Sequence, residues 1–192
     1  MNLPNKLTLL RVILVPFFLA AMLIPESIAP DYVSRIVAAV LFAVTALTDY
    51  ADGKIARKYN LITNFGKFMD PLADKFMIIA ALLGATAKYD YLRSVMVWVT
   101  LIVVFRELAV TSLRLIANNS SGKVIAAAWA GKVKTASQCV CIIAILIEPL
   151  IPFALFNQYY ILTWISTAVM TFFTIYSGIE YFISYKDFLT QE

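Results

Sequence analysis

The sequence predicts an all-α integral membrane protein: six transmembrane helices, a short N-terminal interfacial segment and a polar cavity open to the cytoplasm. Three observations carry this. The 192-residue chain is 61% hydrophobic and 15% charged, with a mean hydropathy of +0.81, far on the apolar side of water-soluble domains. Apolar stretches recur at 12–25, 36–48, 76–87, 94–105, 135–147 and 158–179, and each reaches spanning length with its charged extensions. The connections are too short to hold anything else, so residues 1–192 read as one membrane domain.

The first helix covers 12–25. Lys6 and Arg11 precede it, and Ser27-Ile28-Ala29 resembles a signal-peptidase site, but Pro30 directly after that site argues against cleavage. The preceding Asn2 to Thr8 is expected to lie at the interface as an amphipathic segment. Helices 2 to 5 are bounded by charges: Arg35 and Asp49, Lys75 and Lys88, Arg93 and Arg106, Lys134 and Glu148. The sixth lies in the uncharged run 149–179 and is expected to be a lipid-facing wall or a partner contact. Cys139 and Cys141, two apart on one helix, read as small apolar packing residues. Most cations fall on one side of this threading, among them Lys6, Arg11, Lys54, Arg57, Lys58, Lys67, Arg114, Lys123, Lys132, Lys134 and Lys186. The positive-inside rule puts that side, with both termini, in the cytoplasm of a multi-pass protein of the cell membrane.

The inner charges share a depth. Thirteen uncharged residues separate Arg35 from Asp49, twelve Lys75 from Lys88, twelve Arg93 from Arg106 and thirteen Lys134 from Glu148. At ~1.5 Å per residue each stretch covers about 18–20 Å, against a hydrocarbon core of roughly 30 Å. The inner charges of four helices therefore sit on the order of 10 Å inside the cytoplasmic boundary. A polar cavity cut into that half of the bundle accounts for the alignment.

Four carboxylates stand in this layer. Asp49, Asp52, Gly53 and Ala56 follow i, i+3, i+4, i+7 spacing and form one helical stripe. Gly66, Asp70 and Asp74 share a face of the next helix, and the short connection from Asn60 to Asn64 predicts antiparallel neighbours with the four acids converging. Pro71 removes a helical hydrogen bond beside Asp70, which suits a cavity lining. Acids are expensive in lipid and mark function. Oxygen-only ligands favour hard cations, Mg²⁺ or Mn²⁺, and two ions sharing carboxylates would suit a clamp on phosphate oxygens. The chain has no histidine, so acid–base chemistry must rest on carboxylates. The same acids would also serve as structural ion pairs with Lys54, Arg57, Lys67 and Lys75, or as a cation-coupled transport path.

The pattern D-x2-D-G-x2-A-R-x8-G-x3-D-x3-D is met at every fixed position by Asp49, Asp52, Gly53, Ala56, Arg57, Gly66, Asp70 and Asp74. It resembles the CDP-alcohol phosphatidyltransferases, and the six-helix plan extends the likeness over the chain. The resemblance implies transfer of a phosphatidyl group from CDP-diacylglycerol to an alcohol with release of CMP. It implies that Asp49, Asp52, Asp70 and Asp74 hold metal, with Asp74 also the general base. By the same resemblance Asp52, Gly53, Ala56, Arg57 and Gly66 bind CDP, together with Asn5 and Thr8 of the opening Pro4-Asn5-Lys6-Leu7-Thr8. A homodimer is implied too; the aromatic residues Trp164, Phe172, Phe173 and Tyr176 of the sixth helix could supply its interface or face lipid.

The acceptor must be read elsewhere. Arg106 stands in the inner layer, Arg114 two turns nearer the cytoplasm, and Lys132 and Lys134 open helix 5 beside Gly131. Such an excess of cations beside an anionic donor suggests an acceptor that carries phosphate. Glu107 is expected to pair with an arginine, and Lys132 and Lys134 point apart, so one of them at most is expected to face the cavity. Arg106-Glu107 through Ser112-Leu113-Arg114, and Gly131-Lys132-Val133-Lys134-Thr135, resemble the branch of the family whose acceptor is sn-glycerol 3-phosphate. Inositol phosphate and serine are the rival acceptors. Nothing in the composition points to nucleic acid.

Overall fold

The computed structural model describes residues 2–58, 64–121, 129–152 and 158–189, with the side chains at 3–4, 50–58, 64–65, 67–68, 70, 115–121 and 187–189 left aside. Among these residues the chain forms six long helices: α1 Leu3–Met22, α2 Asp31–Lys58, α3 Asn64–Lys88, α4 Asp90–Ser121, α5 Trp129–Ile147 and α6 Ile161–Leu189. A 3₁₀ turn, Glu148–Leu150, closes α5. Five of the six contain a run long and apolar enough to cross a membrane. In α3 the charges from Lys67 to Lys75 shorten the apolar part to the expected 76–87. The architecture is that of an integral membrane protein.

The N-terminal segment is helical and continuous with the first long helix: α1 runs unbroken from Leu3 with Pro4 in its first turn, where proline's missing N–H is no loss. Its Asn5 and Thr8 are buried. One expectation changes, since α2 and α3 are not each other's main neighbours: among the described residues α1 packs along both and lies between them. The approach to α3 is close at Gly84, where a Cβ would fall 2.7 Å from the Met22 sulfur. Across the bundle α4 packs on α3 and α6, while α5 packs on α6, α2 and α3.

The apolar core, with Phe18, Phe42, Leu82, Leu92, Met96 and Ile145, fills the half of the bundle away from the acids. The far end is closed by charges that satisfy one another. Arg35 Nε donates to Asp31 at 2.5 Å, its Nη1 to the Ile145 carbonyl at 2.8 Å, and its guanidinium lies 4.0 Å from the Tyr89 ring centroid. Lys88 donates to the Ile24 carbonyl and to Ser34 Oγ, each at 3.0 Å. Ser34 Oγ in turn reaches the Ala21 and Met22 carbonyls at the end of α1. Cys141 is buried in the apolar core, in line with its packing reading, and its Sγ lies 3.4 Å from Thr167 Oγ1 across the α5–α6 seam.

Glu148 is 0% exposed and accepts the Leu162 and Thr163 amides at 2.7 and 2.6 Å. It thereby caps the positive end of α6, whose first amides have no partner within the helix. Glu148→Ala should lower thermal stability in detergent by about 3 kcal/mol for two lost charge-assisted bonds. Glu148→Gln should lose roughly half of that. Unchanged unfolding midpoints in both would show that the start of α6 is held by something else.

Candidate active site

The site begins on α1. Asn5, Thr8 and Arg11 recur every three residues, and all three are buried on the face that continues downward as Val15, Phe18 and Met22. Arg11 is 2% exposed, yet its Nη1 lies 2.7 Å from Asp49 Oδ1 and 2.5 Å from Asp74 Oδ1. One guanidinium nitrogen from α1 thus joins an acid of α2 to an acid of α3. Those two distances hold the carboxylate oxygens within about 5 Å of each other. Each carboxylate is otherwise half open, at 49% and 51% exposure.

That arrangement meets half of what the spacing predicts: the first and last acids of the motif converge. The side chains of Asp52, Gly53, Ala56, Arg57 and Asp70 lie outside the described residues; Gly66 is buried at the start of α3. Among the described residues no group of three potential ligands is assembled. The Asp49–Asp74 pair fits a hard divalent cation in its chemistry, since it presents converging oxygen donors that already attract positive charge.

Beside the pair opens a cavity of about 620 Å³ between α3, α4, α5 and α6. Asp74 lines it, together with Lys75, Arg106, Glu107, Arg114, Lys132, Lys134, Gln138 and Tyr181. All four predicted acceptor residues are therefore in one place. Lys132 and Lys134 both line it, contrary to the expectation that one alone would. Lys134 points inward and is buried, whereas Lys132 is exposed at the wall, where its long stem suffices to reach the opening.

Glu107 is the anionic centre of this wall. It is buried and accepts hydrogen bonds from Lys134 Nζ and, at 3.2 Å, from Arg106 Nη1, while Lys75 Nζ stands 4.0 Å away. Lys75 also donates to Thr111 Oγ1 at 2.5 Å, and Thr111 to the Glu107 carbonyl at 2.7 Å. The expected pairing of Glu107 with an arginine is present, and two lysines of α3 and α5 join it.

The sixth helix is more than a wall. Its Tyr181 ring lies 5.5 Å from the Arg106 guanidinium and 5.1 Å from that of Arg114, and its hydroxyl accepts from Arg114 Nη2 at 2.5 Å. A tyrosine face attracts cations and orients both arginines toward the cavity. Gly178, one turn earlier, leaves room for Arg106: a Cβ there would sit 3.3 Å from its Cγ. Arg11, Lys75, Gln138 and Tyr181 were all missed as site residues by the sequence reading. Arg11 was legible as the third member of a polar stripe, and Gln138 as the one carboxamide in the run 135–147. Tyr181 has no comparable signal.

Comparison with known proteins agrees with this geometry. The family model described as CDP-alcohol phosphatidyltransferase matches residues 1–176. The chain is 41% identical over 191 residues to the CDP-diacylglycerol–glycerol-3-phosphate 3-phosphatidyltransferase of Bacillus subtilis (strain 168), covering 94% of this chain and 93% of the relative. Relatives with the same name occur in Yersinia enterocolitica, 35% identical with 98% of each chain covered, and in Escherichia coli K12, 38% identical with 77% and 78% covered.

The buried Glu107–Lys134 pair predicts strong coupling. Glu107→Gln should destabilise the protein in detergent by about 3–5 kcal/mol, because Lys134 and Arg106 keep their charge without a partner. Adding Lys134→Met should restore part of the loss, with a coupling energy of about 1–3 kcal/mol. Strict additivity of the two substitutions would show that the pair does not act as a unit.

Proposed function

Because the chain belongs to the CDP-alcohol phosphatidyltransferase family, we propose that it transfers the phosphatidyl group of CDP-diacylglycerol to sn-glycerol 3-phosphate, releasing CMP and forming phosphatidylglycerol phosphate for phospholipid biosynthesis. The observation that carries the acceptor is the charge of the cavity. Lys75, Arg106, Arg114, Lys132 and Lys134 face two acids, Asp74 and Glu107. Serine would leave that excess uncompensated; a phosphate on the acceptor answers it. The names of the relatives support the same acceptor.

In this reading the acceptor's hydroxyl oxygen attacks the β-phosphorus of the donor. A new P–O bond forms as the anhydride P–O bond breaks, and CMP leaves with that electron pair. Asp74, at the border between the Arg11 pair and the cationic cavity, takes the hydroxyl proton. Arg11 is a positioning residue that keeps Asp49 and Asp74 within reach of one another. Asp49, Asp52, Asp70 and Asp74 are the residues that would hold Mg²⁺ or Mn²⁺, two ions in all; when bound, these supply positive charge to the phosphate oxygens. Asp52, Gly53, Ala56, Arg57 and Gly66, with Asn5 and Thr8 on α1, take the CDP moiety. Arg106, Arg114, Lys132 and Lys134 take the acceptor phosphate.

A cavity at this depth serves a donor whose acyl chains need lipid and whose nucleotide needs water. The concentration of cations at that end of the bundle supports a cytoplasmic site and cytoplasmic termini. The exposed aromatic residues of α6, Trp164, Phe172 and Tyr176, supply the contact of a homodimer, which the particle mass in mild detergent checks; a monomeric mass would remove it.

Purified protein should release CMP from CDP-diacylglycerol with glycerol 3-phosphate and not with serine or inositol phosphate. Asp49→Asn and Asp74→Asn should each lower that rate by about 100-fold or more, and chelation of divalent cations should abolish it until Mg²⁺ or Mn²⁺ is restored. Equal rates with serine would overturn the acceptor. Full activity in Asp74→Asn would overturn the site.

A further inference from the structure

The charged layer accounts for a phosphate and for a base, but the cavity has a floor beneath it. On α3 the floor is Ile78, one turn past Asp74; on α4 it is Val103, one turn before Arg106; on α5 it is Gln138, one turn past Lys134. Since α4 runs antiparallel to α3 and α5, these three positions lie at one level, a turn deeper than the charges. Two of the three are aliphatic. The third is a carboxamide that is 2% exposed, and its Nε2 has no hydrogen-bond partner.

An amide donor left unsatisfied in such a place is costly, and buried polar atoms without partners are rare. A leucine or methionine would fill the same volume without that penalty. Arg106 Nε, in the same cavity, is likewise buried and unpartnered. Two orphaned donors, one in the phosphate-binding layer and one directly below it, describe the complement of a molecule that carries an anion at one end and a neutral hydroxyl nearby. Glycerol 3-phosphate has two hydroxyls. One attacks, at the Asp74 side; the other needs a partner that neither holds a charge nor takes its proton.

We infer that Gln138 reads the acceptor's second hydroxyl, with Nε2 donating to the C2 oxygen while the phosphate is held by the cations above it. This rests on the acceptor proposed above and names a specificity-determining residue for it. A carboxamide suits this role, because it can hydrogen-bond a hydroxyl without competing with Asp74 as a base or with the lysines for the phosphate. A site built to hydrogen-bond a hydroxyl rejects the analogue that lacks it, because its own buried donor is then left unpaired.

The test compares two acceptors in one assay of CMP release: glycerol 3-phosphate and 1,3-propanediol monophosphate, which has the same phosphate and attacking hydroxyl and no C2 hydroxyl. The protein should prefer glycerol 3-phosphate by about 10- to 100-fold in kcat/KM, the range expected for one buried hydrogen bond to a hydroxyl. In Gln138→Met that preference should fall to about threefold or less, chiefly through a raised KM for glycerol 3-phosphate. The ratio is internal to one preparation, so a smaller folded fraction cancels. Gln138→Leu, close in volume and without any hydrogen-bonding group, is the second variant and should lose the preference as well. A preference unchanged in both variants, or an equal fall with both acceptors, overturns the role of Gln138 while leaving the reaction intact. Absence of CMP release from the unaltered protein with glycerol 3-phosphate overturns the acceptor, and this role with it.

Discussion

Two carboxylates on different helices share one buried guanidinium, and most of the site depends on that contact. Arg11 reaches Asp49 and Asp74 from a helix that lies between theirs. In a bundle packed by apolar side chains, lipid gives helices no hydrophobic reason to choose one azimuth over another. A charged group at this depth does, because each acid or base left unpaired there is costly. The triad therefore sets the rotation of α1, α2 and α3 together, and with it the direction in which the Asp stripe faces.

Charge is used in opposite ways at the two ends of the bundle. At the far end Asp31, Arg35, Lys88 and Ser34 consume one another's hydrogen-bonding capacity and that of nearby backbone carbonyls, while Glu148 holds the start of α6. These bonds stay within the protein, and the apolar core rests on this end. At the near end Glu107 gathers Lys75, Arg106 and Lys134 without matching them in number. The surplus is directed into a cavity of about 620 Å³. The far end thus spends its charges on internal pairs, while the near end holds a buried ion cluster and keeps a cationic surplus for a ligand.

The sixth helix shows how small residues contribute to this division. Thr163, Ser166, Thr167, Thr174 and Ser177 are buried, and several return their hydroxyls to the helix's own carbonyls. Small side chains with internally satisfied hydroxyls let α6 approach α4 and α5 closely. That closeness brings Tyr181 beneath two arginines that would otherwise repel each other across the opening.

What the sequence determined by itself is one-dimensional: which stretches are apolar, how many residues separate charges, and which positions repeat at helical spacing. Hydropathy and rise per residue are properties of a single helix, so the membrane-spanning architecture, the shared depth of the inner charges and the face of Asp49 or Asp74 could be read without a neighbour. Arg106, Arg114, Lys132 and Lys134 could be proposed together for the same reason. The tertiary structure alone decided who meets whom: α1 between α2 and α3, Arg11 as the bridge, Glu107 as a shared partner, Tyr181 under the arginines and Gln138 on the floor. Those depend on the rotation and order of helices, which many patterns of apolar residues permit equally. The pairing of a few buried polar groups selects among them.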